Sequence, residues 1–244
     1  MVHGFPPFMR WTILGCLVVW FLQAASWERW APGWSWLTLT PSGLLHGRVW
    51  TLLTYQYLHD PRGPFHLLFN MLNLWFFGRD LEHRWGTWGF ARFYLACGVG
   101  GGALYTLVSL VLGQDAPLVG ASGSVLGVLM AFGLVWPRRV IALWGLLRIE
   151  ARYLVLFIAL IDLMIAWAGT WVGSASGAIA HVGGMATGWL YVKQAWWLQS
   201  LPGRLRAAFD DWRRSRRRSR MKVVDRDWDR WLDDNDPDDR ETRH

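Results

Sequence analysis

Cysteine is nearly absent from this sequence of 244 residues, and its scarcity excludes several classes of protein as interpretations. The only two cysteines, Cys16 and Cys97, lie far apart, each inside an apolar run. A disulfide framework, a structural zinc site and a redox pair all need cysteines at suitable spacing. We therefore expect both residues to belong to a hydrophobic core.

Charge is also scarce. Only 18% of the residues are charged, whereas 53% are hydrophobic and 20 are tryptophan. This composition is too apolar for an ordinary soluble domain and predicts a polytopic membrane protein. Much of the net charge of +7 comes from one Arg-rich tail after the last apolar segment, so membrane orientation explains it better than a nucleic-acid partner.

The N-terminus has no clean small-x-small cleavage site after its first apolar run, Trp11 to Ala25. We therefore predict a retained first span and not a signal peptide. The lack of an organellar presequence and the short, single-domain build favour a bacterial plasma (inner) membrane.

Six segments are long enough to cross about 30 Å of hydrocarbon as helices. They lie near residues 8–26, 65–82, 90–112, 118–136, 153–171 and 176–198. The sequence thus predicts an all-α bundle of six spans. The long segment from Ser26 to Pro64 is rich in Trp, Pro, Gly and Thr, which favours an ordered loop at the membrane interface.

Arginine in the short loops predicts the orientation. The loops after spans 2 and 4 contain Arg79, Arg84, Arg92, Arg138, Arg139, Arg148 and Arg152, whereas those after spans 3 and 5 contain none. Both termini are therefore expected to face the cytoplasm. Spans 2, 4 and 6 then run inward from the outer face, so polar residues near their first turns should share one layer.

Ser122 lies between Gly120 and Gly123, where a loop enters an apolar helix. Backbone N–H groups at such a helix start are free to face whatever the serine binds, which suits a nucleophile. The same small residues also occur where two membrane helices pack closely, so the motif alone leaves both interpretations open.

Polar residues on spans 2 and 6 favour catalysis. His66, Asn70 and Asn73 fall at i, i+4 and i+7, so they share one helix face, and polar groups at membrane depth must face the bundle or a water-filled cavity. Span 6 contributes His181 within a stripe of small residues at i, i+4 and i+8, namely Ala180, Gly184 and Gly188. The stripe predicts close packing against a neighbouring helix.

These groups permit acyl transfer. Ser122 would attack a carbonyl carbon while His181 takes its proton as general base. Asn70 and the Ser122 backbone N–H would donate to the oxyanion, with His66 as a further candidate donor. No carboxylate is obviously placed to orient His181, so the sequence predicts a dyad.

The chain resembles the rhomboid family of intramembrane serine proteases over residues 8–200. The matching segments are H-L-L-F-N-M at 66–71, G-A-S-G at 120–123 and A-H-V-G-G-M-A-T-G at 180–188. The resemblance implies a six-helix fold, cleavage of transmembrane proteins near the outer membrane boundary and no metal or organic cofactor. It implies a dyad of Ser122 and His181, oxyanion roles for Asn70 and His66, and close helix contact at Gly120, Gly123, Gly184 and Gly188.

Three positions depart from that pattern or stand outside it. Thr51 follows Trp50 where the family usually has Arg, so the usual loop-anchoring contacts are in question. Leu126 replaces a frequent aromatic residue beneath the histidine. Asp162, in the middle of span 5, is an intramembrane acid, for which a structural polar role is favoured over a functional one.

The chain is predicted to divide into a membrane domain, residues 1–200, and a cytoplasmic tail, residues 201–244. The first part of the tail is basic, which suits contact with anionic lipid. The second part is acidic, and its composition predicts disorder. Two other functions stay open. One is that of a non-catalytic relative that binds or escorts membrane proteins, although such a protein would not need Ser122 and His181. The other is that of a transporter, although the sequence lacks the inverted repeats that many transporters have.

Overall fold

A computed structural model describes residues 5–143, 147–172 and 177–194 of the chain. All of them except Gln194 belong to a compact unit, Met1–Lys193, and a second unit comprises Gln194–His244. The predicted cytoplasmic tail therefore lies outside the described residues, and the division of the chain at residue 200 stays a prediction.

Helices dominate the described chain, which confirms the helical part of the predicted fold. They are α1 (Pro7–Ser35), α2 (Pro41–Leu45), α3 (Thr51–Thr54) with the 3₁₀ turn Tyr55–Tyr57, α4 (Phe65–Asn73) with the π-helical segment Leu74–Gly78, α5 (Arg79–Val111), α6 (Ser122–Val135), α7 (Ala151–Val172) and α8 (177–194). Two strands, β1 (Val140–Leu143) and β2 (Leu147–Glu150), form an antiparallel pair.

Two of the described helical stretches, Pro7–Ser26 and Phe65–Val111, are long and apolar enough to cross a membrane. The second has 47 residues, or about 70 Å at 1.5 Å per residue, far more than one crossing needs. It is interrupted at Gly86, where φ is 74° and ψ is 161°. A Cβ atom at Gly78 would lie 3.0 Å from Phe90 Cζ, so the chain folds back there. The count of six spans stays a prediction, since α6 is shorter, with 14 residues.

Three boundaries differ from those expected. Helix α1 continues to Ser35, past the predicted end at residue 26, and includes Pro32 in its last turn. Helix α6 begins at Ser122 and not at 118, because Leu118 pairs as an isolated β-bridge with Leu39. The predicted loop after span 4 contains the β1–β2 hairpin, in which Ile141 pairs with Ile149.

The start of α1 is capped by a residue from another helix. Pro6 and Pro7 have no backbone N–H, and the next two N–H groups, of Phe8 and Met9, each donate to a carboxylate oxygen of Glu82 at 2.9 Å. Glu82 is 2% exposed. A carboxylate at a helix N-terminus satisfies its free N–H groups and interacts favourably with the helix dipole. Glu82 thereby joins α1 to α5.

Helices α6 and α8 approach each other backbone to backbone. A Cβ atom at Gly184 would lie 2.0 Å from the Gly123 carbonyl oxygen, and one at Gly188 would lie 2.8 Å from that of Gly127. No side chain fits at those distances. The small-residue stripe of α8 therefore faces α6.

Helix α5 lies against the same end of α8. A Cβ atom at Gly101 would lie 2.6 Å from the Ala180 carbonyl oxygen, and one at Gly183 would lie 2.9 Å from that of Gly100. The glycines of α5 and α6 thus bring three helices together around residues 180–188 of α8.

Replacing Glu82 by Ala should lower the free energy of unfolding by about 2 kcal/mol, because two buried N–H groups lose a charged acceptor. Thermal unfolding in detergent measures this. Glu150→Ala serves as the control, since Glu150 forms a partly exposed pair with Arg152 and such pairs contribute little. Equal melting temperatures for the two variants would contradict the assigned cap.

Replacing Gly184 or Gly188 by Ala should push α8 away from α6 and cost about 1–3 kcal/mol, as overpacking generally does. Gly177→Ala makes the same change on the same helix at a position where a Cβ atom meets nothing within 4 Å. Melting temperatures of the three variants in one detergent test the contact. Since Ala is favoured over Gly within a helix, a loss in Gly177→Ala as large as in Gly184→Ala would show that the contact with α6 is not the cause.

Candidate active site

Ser122 is the first residue of α6 and is half-buried. Its helix starts there because Gly120 has φ of +121°, a backbone conformation that L side chains rarely adopt. The N–H groups of the first helical turn have no partner within their own helix. Ser122 belongs to this first turn, so its own backbone N–H is one of these groups.

The missing side chain of Gly120 makes room for the imidazole of His66. A Cβ atom at Gly120 would lie 2.8 Å from His66 Cε1, 2.9 Å from His66 Nε2 and 3.8 Å from Ser122 Oγ. Gly120 lies in the turn before α6 and faces the His66 ring of α4. His66 and Ser122 are thus neighbours across one glycine.

The two asparagines of span 2 are both hydrogen-bonded to their own helix. Asn70 is 6% exposed, and its Nδ2 donates to the His66 carbonyl oxygen at 3.0 Å. Asn73 is less buried, and its Nδ2 donates to the Phe69 carbonyl oxygen at 2.8 Å. Since an amide nitrogen has two N–H groups, Asn70 keeps one donor for another acceptor.

His181 is half-buried on α8 and follows Ala180, which contacts α6. A Cβ atom at Gly123 would lie 3.2 Å from the Ala180 carbonyl oxygen. Ser122 and His181 are each one residue away from this backbone contact. His181 also interacts electrostatically with His66, so the three side chains belong to one region of the fold.

His59 is a member of this region that the sequence alone did not single out. Its ring is fully buried, and neither ring nitrogen has a hydrogen-bond partner among the described residues. Its centroid lies 5.2 Å from that of His66 in an edge-to-face arrangement. The pKa of His59 is lowered to about 4, mainly by burial and also by the charge of His66, while a polar contact with the Tyr57 backbone opposes both.

His59 is therefore neutral near pH 7, and it supports the His66 ring without placing a positive charge beside it. The only sequence signal for it is a histidine seven residues before His66 in a loop rich in aromatic residues. That signal is weak, because burial and ring contact are properties of the folded chain.

Asp60 adds a negative charge next to this pair. Hydrogen bonds from Arg62, together with its positive charge, hold the pKa of the Asp60 carboxyl below its usual value, although partial burial opposes this. Asp60 stays ionised and acts on His66 from the solvent side.

The departures from the family pattern have defined places. Thr51 is fully buried, and its Oγ1 donates to the Arg48 carbonyl oxygen at 2.6 Å. The Arg48 guanidinium lies 4.6 Å above the Trp36 ring on the surface, so it does not take over an inward anchoring role. Leu126 is half-buried against the larger hydrophobic core. The Asp162 side chain lies outside the described residues.

Within the described part of the chain, no group of three or more His, Cys, Asp or Glu side chains could hold a metal ion. The groups available in this region are a hydroxyl, imidazoles, an amide, backbone N–H groups and the Asp60 carboxylate.

A family model described as "Rhomboid domain" matches residues 46–197 of this chain. RHOMBOID-like protein 6, mitochondrial, of Arabidopsis thaliana is 32% identical over 142 residues, which are 57% of this chain and 41% of that protein. Rhomboid protease GluP of Bacillus subtilis (strain 168) is 39% identical over 88 residues, which are 36% of this chain and 16% of that protein. The matches thus span less than half the length of these relatives.

The family model covers more than half of the chain, and it includes the motif around Ser122, the polar face of α4 and the small-residue stripe of α8. The resemblance read from the three motifs is confirmed at the level of the family. This chain belongs to the rhomboid family.

Proposed function

We propose that this chain is an intramembrane serine endopeptidase that cleaves transmembrane proteins near the outer boundary of the membrane. The observation that supports the proposal is the close approach of Gly123 to the Ala180 carbonyl oxygen, because Ser122 and His181 are the residues next to these two in the chain. One relative, from Bacillus subtilis, bears the name of a rhomboid protease.

In the proposed mechanism, His181 accepts the proton of Ser122 as the hydroxyl oxygen attacks the substrate carbonyl carbon. An acyl-enzyme forms, and His181 returns the proton to the leaving amine. Water then attacks the acyl carbon with His181 again as base. The exposure of His66 supports access of water to this region.

The oxyanion would be held by the Ser122 backbone N–H and the remaining N–H of Asn70, with His66 as a further donor. Preorganised donors stabilise the charge that develops in the transition state. The hydrogen bond from Asn70 to the His66 carbonyl oxygen fixes the amide within its helix, so its orientation does not have to be ordered during the reaction.

We further propose six membrane spans with both termini in the cytoplasm of a bacterium and the plasma membrane as location. The basic loops between spans support the orientation. In addition, the exposed apolar side chains of α1, such as Trp11, Val18 and Phe21, suit contact with lipid. Anionic lipid is the proposed partner of the basic tail, and we propose that neither nucleic acid nor a cofactor is required.

A fluorophosphonate, which phosphonylates activated serines with loss of fluoride, tests the proposal without a known substrate. We expect covalent labelling of Ser122 alone, although Ser124 is nearby in sequence. Labelling should fall by at least about 10³-fold in His181→Ala, since a serine without its base is a poor nucleophile. Intact-mass and peptide mass spectrometry measure both results.

The Asp162→Asn variant is the matched control, since it changes an intramembrane polar group that the proposal leaves out of the chemistry. It should be labelled like the wild type. A folded wild-type protein that resists such probes, or one labelled equally well without His181, would leave the non-catalytic binder of membrane proteins as the better explanation.

Replacing Asn70 by Ala should reduce turnover of a cleaved substrate by about 10²–10³-fold, the usual cost of one lost oxyanion donor. Asn73→Ala is its control, because Asn73 makes the same kind of bond to its own helix one turn further along. Steady-state cleavage of a transmembrane substrate in detergent measures both. If the two variants lose activity equally, Asn70 has a packing role.

A further inference from the structure

Two consecutive residues of the first loop contact the chain on both sides of Ser122. The Gly120 N–H donates to the Tyr55 carbonyl oxygen at 3.0 Å, and the Ser124 hydroxyl donates to Gln56 Oε1 at 2.8 Å. We call this arrangement, formed by Tyr55, Gln56, Gly120 and Ser124, the clasp. Ser122 lies midway between its two attached residues.

The partner of Ser124 is unusual for a serine in a helix. Hydroxyls within helices commonly bond to the carbonyl oxygen four residues earlier, and Thr106 and Thr187 do so here. Ser124 instead bonds to a side chain 68 residues away. Its hydroxyl thus connects α6 to the first loop.

Burial strengthens this connection. Gln56 is 1% exposed and Ser124 is fully buried, so water does not compete for the bond between them. The other end of the Gln56 amide is also engaged, because Nε2 donates to the Leu52 carbonyl oxygen at 2.9 Å. The side chain is therefore held at both ends.

Helix α5 supports the clasp from behind. A Cβ atom at Gly98 would lie 2.1 Å from Gln56 Cδ, so the Gln56 amide occupies a notch that only glycine leaves open. The Tyr55 hydroxyl donates to the Gly98 carbonyl oxygen at 2.7 Å. Both loop residues are thus fixed to one point of a long helix.

We propose that Gln56 and Ser124 are positioning residues that hold the first turn of α6 so that the Ser122 hydroxyl keeps its place relative to α8. The inference rests on the proposed serine protease activity. An error of about 1 Å in the position of a reacting group can cost about 10²-fold in rate. The clasp acts on that position without touching substrate.

Ser124→Ala tests the clasp, and Ser109→Ala is its control because it makes the same change at another buried serine, on α5. Hydrogen–deuterium exchange of peptides covering residues 118–126 and the rate of fluorophosphonate labelling are measured well below the melting temperature of every variant. In Ser124→Ala we expect faster exchange in this segment and about 10- to 100-fold slower labelling. The Ser109→Ala control should change neither.

The double variant Gln56→Met with Ser124→Ala separates positioning from stability. Removing both partners leaves neither atom of the Ser124–Gln56 bond buried and unsatisfied, so its melting temperature should recover in part relative to Ser124→Ala, although the bond from Gln56 Nε2 to the Leu52 carbonyl oxygen is also lost. Its labelling should stay slow, because the connection is still missing. Labelling at the wild-type rate would overturn the positioning role.

Hydrogen–deuterium exchange tests the clasp independently of catalysis. Unchanged exchange at 118–126 in Ser124→Ala overturns the clasp even if the wild type is labelled. A wild type that resists labelling while Ser124→Ala exchanges faster overturns the protease and leaves the clasp as an anchor of α6.

Discussion

The direct contact of backbones between α6 and α8 is the constraint on which the candidate site depends. A Cβ atom at Gly184 would lie 2.0 Å from the Gly123 carbonyl oxygen, so even one methyl group would separate the helices. Ser122 and His181 come from segments almost 60 residues apart in the sequence. Side chains as short as serine and as stiff as imidazole can meet only if their helices approach this closely.

The first loop provides the second constraint, because it surrounds the start of α6. Leu39 pairs with Leu118, and Tyr55 accepts from the Gly120 N–H. His59 packs against His66 from the same loop. A loop with this many fixed contacts acts as part of the scaffold, and it determines where α6 begins and how His66 is supported.

Sequence reasoning reached the helical fold and the family, and it put His66 and Asn70 on one face of a helix. It did so because apolar length and helical spacing are local properties: His66 and Asn70 share a face at i and i+4 whatever their surroundings. It missed the end of α1 at Ser35 and the β1–β2 hairpin, since a proline in a last turn and a short strand pair are tolerated or stabilised only by tertiary contacts. The φ of +121° at Gly120 likewise cannot be read from a Gly-x-Ser-Gly pattern.

The sequence by itself determined the apolar segments, their basic flanks and the three motifs, because each depends on residues close together in the chain. Only the tertiary structure decided that Gly120 makes room for His66, that His59 is a buried neutral ring and that Ser124 bonds to Gln56. These features depend on distances between residues far apart in sequence and on the exclusion of water between them. Both the distances and the exclusion of water are established only when the helices pack.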